Sequence, residues 1–432
     1  MAYGTHSSAA GWENRPAGTP ATTGALPAVG GTLAGSALWL LSSNVLYQAS
    51  QWGAVVALAK LGAPAALGHL GLALAVATPA VQMSSFGLRA YQATDVLRRY
   101  AFAEYLNLRL LANVVVAVVI GAVAAAGLVE STAVAILIPI GLAKLVEATS
   151  ENCYGLLQRH DRMRFVAVSR VVRGALGLVA LVTVVALGGT LAAGAWALAG
   201  AWAAFLLAVD LPAAGALEPM LAWPRAARLW RLARESAPLG AVSGVFALSQ
   251  SVPRYVLATT QGAAAVGYFT ALAAVVPAVA QLSTAVCHAA APRLGWRAVQ
   301  DVRRFRNLVV QLLGAAAAAS LLLVLGAVLG GRTFLTLAYA PDYAAHQTTF
   351  VLVVVAGGLA VVNEVLQFAL LAVRRMAAQL AVQCLGLVTT VVVGVLLIPH
   401  LGLPGAGIAA LLSGGAMAIA STGLVLGRRG AP

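Results

Sequence analysis

Between residues 33 and 427 the chain is a succession of apolar runs, each roughly 20 residues long, joined by short polar connections. A run of that length matches the ~30 Å hydrocarbon core of a bilayer. Lipid offers no water to satisfy backbone N–H and C=O groups, so such a run crosses as a helix. Twelve runs are present, near residues 33–59, 67–91, 105–127, 132–157, 166–188, 191–212, 236–258, 264–291, 307–330, 346–373, 377–398 and 403–427. They predict an all-α integral membrane protein of about twelve transmembrane helices. The residues are 61% hydrophobic and 9% charged, against roughly 45–50% and 25% in soluble domains.

The connections alternate in charge. Arg98 and Arg99; Arg159, Arg162 and Arg164; Arg225, Arg228, Arg231 and Arg234; Arg293, Arg297, Arg303, Arg304 and Arg306; Arg374 and Arg375; and Arg428 and Arg429 occupy every second one. The others hold little beyond Lys60 and Arg332. By the positive-inside rule the basic set is cytoplasmic, and both termini with it. The net charge of +14 is therefore an orientation signal, and no nucleic-acid partner is expected. Cys153, Cys287 and Cys384 lack CxxC or metal spacing and read as small packing residues. Residues 1–30 lack the basic-then-apolar order of a signal peptide and read as a disordered cytoplasmic tail.

The basic connection 213–235 divides the chain into a six-helix lobe at 31–212 and a second at 236–432. Arg225, Arg228 and Arg231 recur every third residue, which suits a cationic segment on the anionic inner leaflet. "LGAPAALGHLGLALAVATPAVQ" (61–82) and "QGAAAVGYFTALAAVVPAVAQ" (261–281) share a Gly pair followed by Pro79 or Pro277. An even number of spans per half makes such a repeat parallel, about an axis along the membrane normal. Outer connections are short, the longest being about 331–345, which leaves no room for an external catalytic domain. There is no phosphate-cradling Gly loop, HExxH or nucleophile elbow. Neither an enzyme, a cofactor nor a metal is expected, and without an ATPase motor the energy must come from an ion gradient, the membrane potential or substrate removal outside.

The fourth run breaks its own pattern. "GLAKLVEATSENCYGLLQ" (141–158) sets Lys144, Glu147 and Glu151 at bilayer depth. At helical spacing they share an arc of about 60° with Gln158, opposite Val146, Cys153 and Leu157. A charge near the bilayer centre costs on the order of 2.5–3.5 kcal/mol, so it is paired or functional. Two readings stand: Lys144 pairs with Glu147 while Glu151 meets a cytoplasmic Arg, or this face lines a hydrophilic cavity. Asn44, Tyr47, Gln48 and Gln51 share one face of the first span, fit for sugar hydroxyls or for interhelical hydrogen bonds. Arg109 shares a face with Tyr105 and Asn113, and Arg170 and Arg173 with Gly177; Arg89 ends the second span. Arg254 follows Pro253 near the outer end of the seventh, and Glu364 is a lone mid-span carboxylate beside Asn363 and Gln367. His69 and His288 read as packed polar groups.

"SNVLYQASQWGAVVALAKLG" (43–62), "FGLRAYQATDV" (86–96), "EYLNLRLLANV" (104–114), "AKLVEATSENCYGLLQRHDRM" (143–163), "SRVVRGALGL" (169–178) and "APLG…VPRYVL…GYFTALA…APRL" (237–294) resemble the polysaccharide-unit flippases of the MATE-like MOP exporter superfamily. The resemblance implies a two-lobed MATE-like fold in the bacterial cytoplasmic membrane. It implies a transporter that flips a polyprenyl-pyrophosphate-linked oligosaccharide to the outer leaflet by alternating access, for surface polysaccharide biosynthesis. Its partners would be the lipid-linked substrate, membrane lipids, a polysaccharide polymerase and glycosyltransferases. On this reading Asn44, Gln48, Gln51, Arg89, Arg109, Lys144, Arg170, Arg173 and Arg254 contact sugar or phosphate, and Glu147, Glu151 and Glu364 serve ion coupling. Arg suits the pyrophosphate because its fork binds bidentately. The alternative on the same scaffold is an ion-coupled drug or metabolite exporter, which predicts a net acidic cavity. A membrane glycosyltransferase is opposed by the short outer loops, and a non-transporting scaffold would tolerate loss of the polar stripes.

Overall fold

The structure is a computed structural model describing residues 33–426 except 96–97, 128–129, 221, 223, 278–279, 282, 285, 288–289, 291–293, 295–296, 298–300 and 374. The expected tail, Arg293, Arg374, Arg428, Arg429 and His288 lie outside the described residues. Every expected span finds a helix among the described residues, the one at 264–291 as a continuous helix only over Gly262–Ala273. In chain order they are α1 (Leu33–Leu61), α2 (Pro64–Ser84) with a short α3 (Leu88–Thr94), α4 (Phe102–Ala125), α5 (Ser131–Arg159), α6 (Met163–Ala186) and α7 (Leu191–Phe205). A π-helical turn (Leu206–Asp210) carries α7 into α8 (Leu211–Gly215). Then follow α9 (Ala226–Thr260), α10 (Gly262–Ala273), α11 (Val302–Ala338), α12 (Gln347–Ala372), α13 (Met376–Leu401) and α14 (Leu403–Leu426).

Local chemistry sets the ends. Pro64 begins α2, where a missing N–H costs nothing. Thr190 caps α7 by accepting from Ala193 N, and Asp301 caps α11 by accepting from Arg303 N and Arg304 N. Gly188 (φ 85°) and Gly402 (φ 62°) turn the chain left-handed at corresponding points of the two halves, before α7 and α14.

Among the described residues, nine helices are long and apolar enough to cross a membrane. α1 and α9 fall short of that apolarity because they carry polar faces, with Asn44, Gln48 and Gln51 on one and Ser243, Gln250 and Arg254 on the other. These faces are turned toward protein. The surfaces turned outward are apolar instead: Val115 and Val118 on α4 are 61% and 66% exposed, and Leu322 and Leu329 on α11 are 70% and 84% exposed. Such surface is stable only against lipid, and the chain is a multi-pass membrane protein.

Helix pairing repeats. α1 packs on α6, α6 on α7, α7 on α5, and α5 on α4. In the second half α9 packs on α13, α13 on α14, α14 on α12, and α12 on α11. The span numbers correspond one for one, as a parallel repeat requires. Much of the basic connection proves helical: α9 starts at Ala226, so Arg228, Arg231 and Arg234 ride on its first turns beside an exposed Trp230.

The halves meet along α2, which packs on both α9 and α10. At the end remote from the Arg-rich connections the backbones nearly touch: a Cβ on Gly68 would lie 1.8 Å from Ala263 O, and one on Gly267 1.9 Å from Pro64 O. Trp52 of α1 reaches across at the same end. Its Nε1 donates to Tyr339 Oη at 2.9 Å, and its ring stacks on Phe334 at 6.2 Å. Tyr339 in turn donates to Ala271 O at 2.7 Å. At the Arg-rich end Gly244 brings α9 against Met83, 2.6 Å from a built Cβ to Met83 Cβ. The two lobes therefore touch near both membrane faces and leave space between.

Candidate functional site

That space is a cavity of about 460 Å³. α1 contributes Gln51, α2 Thr78 and Gln82, α5 Lys144, α9 Ser243, Gln250 and Arg254, and α10 Thr270. Two cations line it, one from each half, and no acidic residue does so among the described residues. Arg254 is steadied by Phe269, 5.8 Å from its guanidinium carbon, and donates from Nη1 to Gln250 O at 3.0 Å. It has no carboxylate within ion-pair distance among the described residues. Lys144 differs. Its Nζ lies 2.8 Å from Glu147 Oε2 while it also faces the cavity. Lys144 thus both pairs with Glu147 and lines the cavity.

Behind Lys144 the polar wall of α5 meets α1, α3 and α6. Glu147 accepts from Tyr47 Oη and, at 3.3 Å, from Arg173 Nη2. Glu151 pairs with Arg89, with Arg170 Nε at 3.6 Å and with Arg173 Nη2 at 3.7 Å. Arg170 also donates to Asn44. Four cations (Arg89, Lys144, Arg170, Arg173) thus surround two carboxylates, a surplus of two positive charges. Arg173 is wholly buried, its guanidinium carbon 5.4–5.6 Å from the rings of Trp202, Tyr154 and Tyr47. Faces of electron-rich rings suit a cation removed from water. Two glycines make the packing possible: a Cβ on Gly177 would lie 2.2 Å from Trp202 Nε1, and one on Gly174 2.9 Å from Tyr47 Cδ2.

Most residues singled out in the sequence come together here: Asn44, Arg89, Lys144, Glu147, Glu151, Arg170 and Arg173 in the cluster, Gln51 and Arg254 in the cavity wall. Gln48 is half-buried on the same face of α1, with no side-chain hydrogen bond among the described residues. Arg109 lies elsewhere. It is buried between α2 and α4, donating to Ser84 O at 3.2 Å and twice to Asn113 Oδ1 at 2.6 and 2.8 Å. Asn113 continues to Thr149, which is on the far side of α5 from Glu147 and Glu151. Glu364 also stands apart, accepting from Thr284 within the second half and absent from the cavity lining.

The sequence reading overlooked a buried group. Asp210, at the π-helical turn, is inaccessible and accepts from Ser169 Oγ at 2.5 Å and Tyr154 Oη at 3.2 Å. The signal was available as a lone acid in the apolar run 191–212. Tyr154, Trp202 and Gln250 were missed because an aromatic or amide in an apolar run has no distinguishing pattern.

A family profile described as polysaccharide biosynthesis protein matches residues 33–295. No curated protein sequence matches the chain. Solved structures share the fold. A lipid II flippase, MurJ, in an inward closed conformation aligns with TM-score 0.71 at 9% identity, covering 90% of this chain and 87% of that one. An inward-facing multidrug resistance transporter of the MATE family, MOP superfamily, aligns with TM-score 0.69 at 16% identity, covering 90% and 98%. A MOP superfamily transporter from Pyrococcus furiosus, described as having a binding pocket of reverse polarity, aligns with TM-score 0.62 at 14% identity, covering 92% and 97%. At these identities the likeness is one of fold.

Proposed function

The chain belongs to the polysaccharide biosynthesis protein family, and we propose that it flips a polyprenyl-diphosphate-linked oligosaccharide across a bacterial cytoplasmic membrane by alternating access. The observation that carries this reading is the sign of the cavity. Lys144 and Arg254 line it from opposite halves, without a lining acid among the described residues. A diphosphate can bridge two cations, and a ligand held by both lobes senses their relative position. Arg254, without an acidic partner, has the unmet need of a counter-charge that an anionic headgroup supplies. Gln51, Gln82, Ser243 and Gln250 offer donors and acceptors to sugar hydroxyls. The polyprenyl tail stays in lipid. Glycosyltransferases on the cytoplasmic side would supply the substrate, and a polymerase outside would consume it.

The ion cluster behind Lys144 gives this site a coupling device. A headgroup competes with Glu147 for Lys144 and, because the Arg89 and Arg170 side chains are 24% and 19% exposed although neither lines the cavity, with Glu151 for them. Arg173 stays with both carboxylates, and one that gives up its other cation in this enclosed site takes a proton or a sodium ion in its place. Release of the headgroup restores the original pairs. Glu364, which accepts from Thr284 and has no cation within ion-pair distance among the described residues, would serve the second lobe by taking up a proton or a sodium ion directly. Arg109 has no part in this, since it is buried away from the cavity and donates to Ser84 and Asn113.

The test is export in cells whose surface polysaccharide depends on the protein. Lys144→Gln and Arg254→Gln should each lower export about tenfold or more, because a charge-assisted hydrogen bond contributes about 1.5–3 kcal/mol. Membrane levels of the protein should stay unchanged. Parental export in both variants would refute the headgroup site. Altered resistance to organic cations, with export intact, would instead favour a drug exporter.

A further inference from the structure

Helix α3 is seven residues long and is anchored to both lobes. It leaves α2 through Phe86 (φ 50°) and Gly87 (φ 60°), two left-handed residues in succession. For a bulky residue such as Phe86 that conformation is strained. Packing enforces it. Gly240 of α9 admits the turn so closely that a Cβ there would lie 2.8 Å from Phe86 Cα, and a Cβ on Gly87 would lie 2.7 Å from Leu239 Cβ. Past the turn, Arg89 holds Glu151 on α5, and Gly155 lets the Arg89 backbone approach within 3.2 Å of a built Cβ. The second-lobe anchor is Glu235. Tyr91 Oη donates to its Oε2 at 2.6 Å, and Tyr100, on the connection after α3, donates to the same oxygen at 3.2 Å.

Between these anchors sits Gln92. It is wholly buried, and neither atom of its amide has a partner among the described residues. Buried amides are nearly always bonded, and one without partners among the described residues lowers the stability of the arrangement that buries it. Strained turn, unpaired amide and anchors to two lobes coincide within nine residues, Phe86 to Thr94. A segment with these features gains by moving once an anchor is lost.

On the headgroup reading proposed above, we infer that Glu235 is a positioning residue of the transport cycle: through Tyr91 and Tyr100 it holds α3 between the lobes until the headgroup draws Arg89 from Glu151. A diphosphate offers the Arg89 fork more oxygens than one carboxylate does. Once Arg89 turns to it, α3 loses its first-lobe ion pair. The turn at Phe86 can then relax, the Gln92 amide can reach water, and the contact with α9 weakens. Occupancy of the site is thereby signalled to the lobe contact at the Arg-rich end. Glu235 touches no substrate in this scheme.

The experiment uses the purified full chain with Cys153, Cys287 and Cys384 replaced by Ala and one reporter, Gln92→Cys, labelled by a water-soluble maleimide. Leu88→Cys, on the same helix and 3% exposed, serves as a second reporter should the first fail to fold. Inorganic pyrophosphate is the probe. Labelling should be slow without it and about tenfold faster with it, the expected consequence of a shifted equilibrium. Glu151→Gln should speed labelling without pyrophosphate. Glu235→Gln should do the same, whereas Glu235→Asp should restore most of the protection, which a loss of bulk packing would not do. Slow labelling in Glu235→Gln, whatever Glu151→Gln does, overturns the positioning role of Glu235. Fast labelling in those variants, with no response to pyrophosphate in the parent, keeps that role and overturns the headgroup trigger with the function proposed above.

Discussion

Replacing Arg173 by Gln is expected to abolish transport and to destabilise the first lobe by about 3–5 kcal/mol, the cost of removing one partner from a buried ion pair. No other cation of the cluster is so enclosed. Its side chain is inaccessible, and Nη2 lies within 3.3 Å of Glu147 and 3.7 Å of Glu151. Three aromatic rings pack around its guanidinium carbon. With that charge gone, Glu147 keeps Lys144 and Glu151 keeps Arg89 and Arg170, so the fold survives in a weakened form. Arg173→Lys should fall between the two, since it keeps the charge but loses the planar fork that lies among the rings. Thermal unfolding of the purified protein, run beside transport in liposomes, separates these effects. An unchanged unfolding temperature in Arg173→Gln would show that the cluster is not held together from this residue.

A reversible cross-link across the lobe contact remote from the Arg-rich connections is expected to stop transport completely. Trp52 is the first-lobe member of an aromatic group otherwise drawn from the second lobe. Phe334 stacks on Phe350 at 5.7 Å, Tyr339 lies 5.3 Å from Tyr343, and Tyr343 lies 4.9 Å from Tyr268. For the cavity to open at this end, the Trp52–Tyr339 hydrogen bond and the Trp52–Phe334 stack must break. So must the glycine contact of α2 with α10. Joining cysteines at positions 52 and 339 with a cleavable bifunctional reagent, in a chain whose exposed Cys384 is replaced, should leave less than about a tenth of transport and should be reversed by reduction. Transport that continues through the cross-linked protein would exclude opening at this face. The unlinked double variant controls for loss of the contact itself.

Much of this was legible in the residues. The helices followed from apolar run length, nine of them long and apolar enough to cross a membrane among the described residues, since a run in lipid has to satisfy its backbone within itself. The polar wall of α5 followed from its period, and the Lys144–Glu147 pair from a three-residue spacing. A helical period gives a face but not the neighbour that the face meets. Arg109 illustrates this: its shared face with Asn113 was visible, and the two are indeed bonded, yet that face turns to Ser84 of α2 and not to the cavity. Glu364 likewise was visible as a lone acid, while its partner Thr284 lies 80 residues away in the chain. The helical start of α9 was hidden because four arginines suggest a connection, although Ala, Leu and Arg are good helix formers. Asp210 was passed over among apolar neighbours, and its bonds to Ser169 and Tyr154 depend on tertiary packing.

On the reading proposed here the cavity between the lobes is built for an anionic lipid headgroup. Its most direct test is leaflet exchange in liposomes containing the purified protein, with a fluorescent oligosaccharide on a polyprenyl diphosphate set against a fluorescent organic cation. The account predicts exchange of the diphosphate lipid, a loss of about tenfold or more in Lys144→Gln and in Arg254→Gln, and no movement of the cation. Movement of the cation, with the diphosphate lipid left in its leaflet, would contradict it.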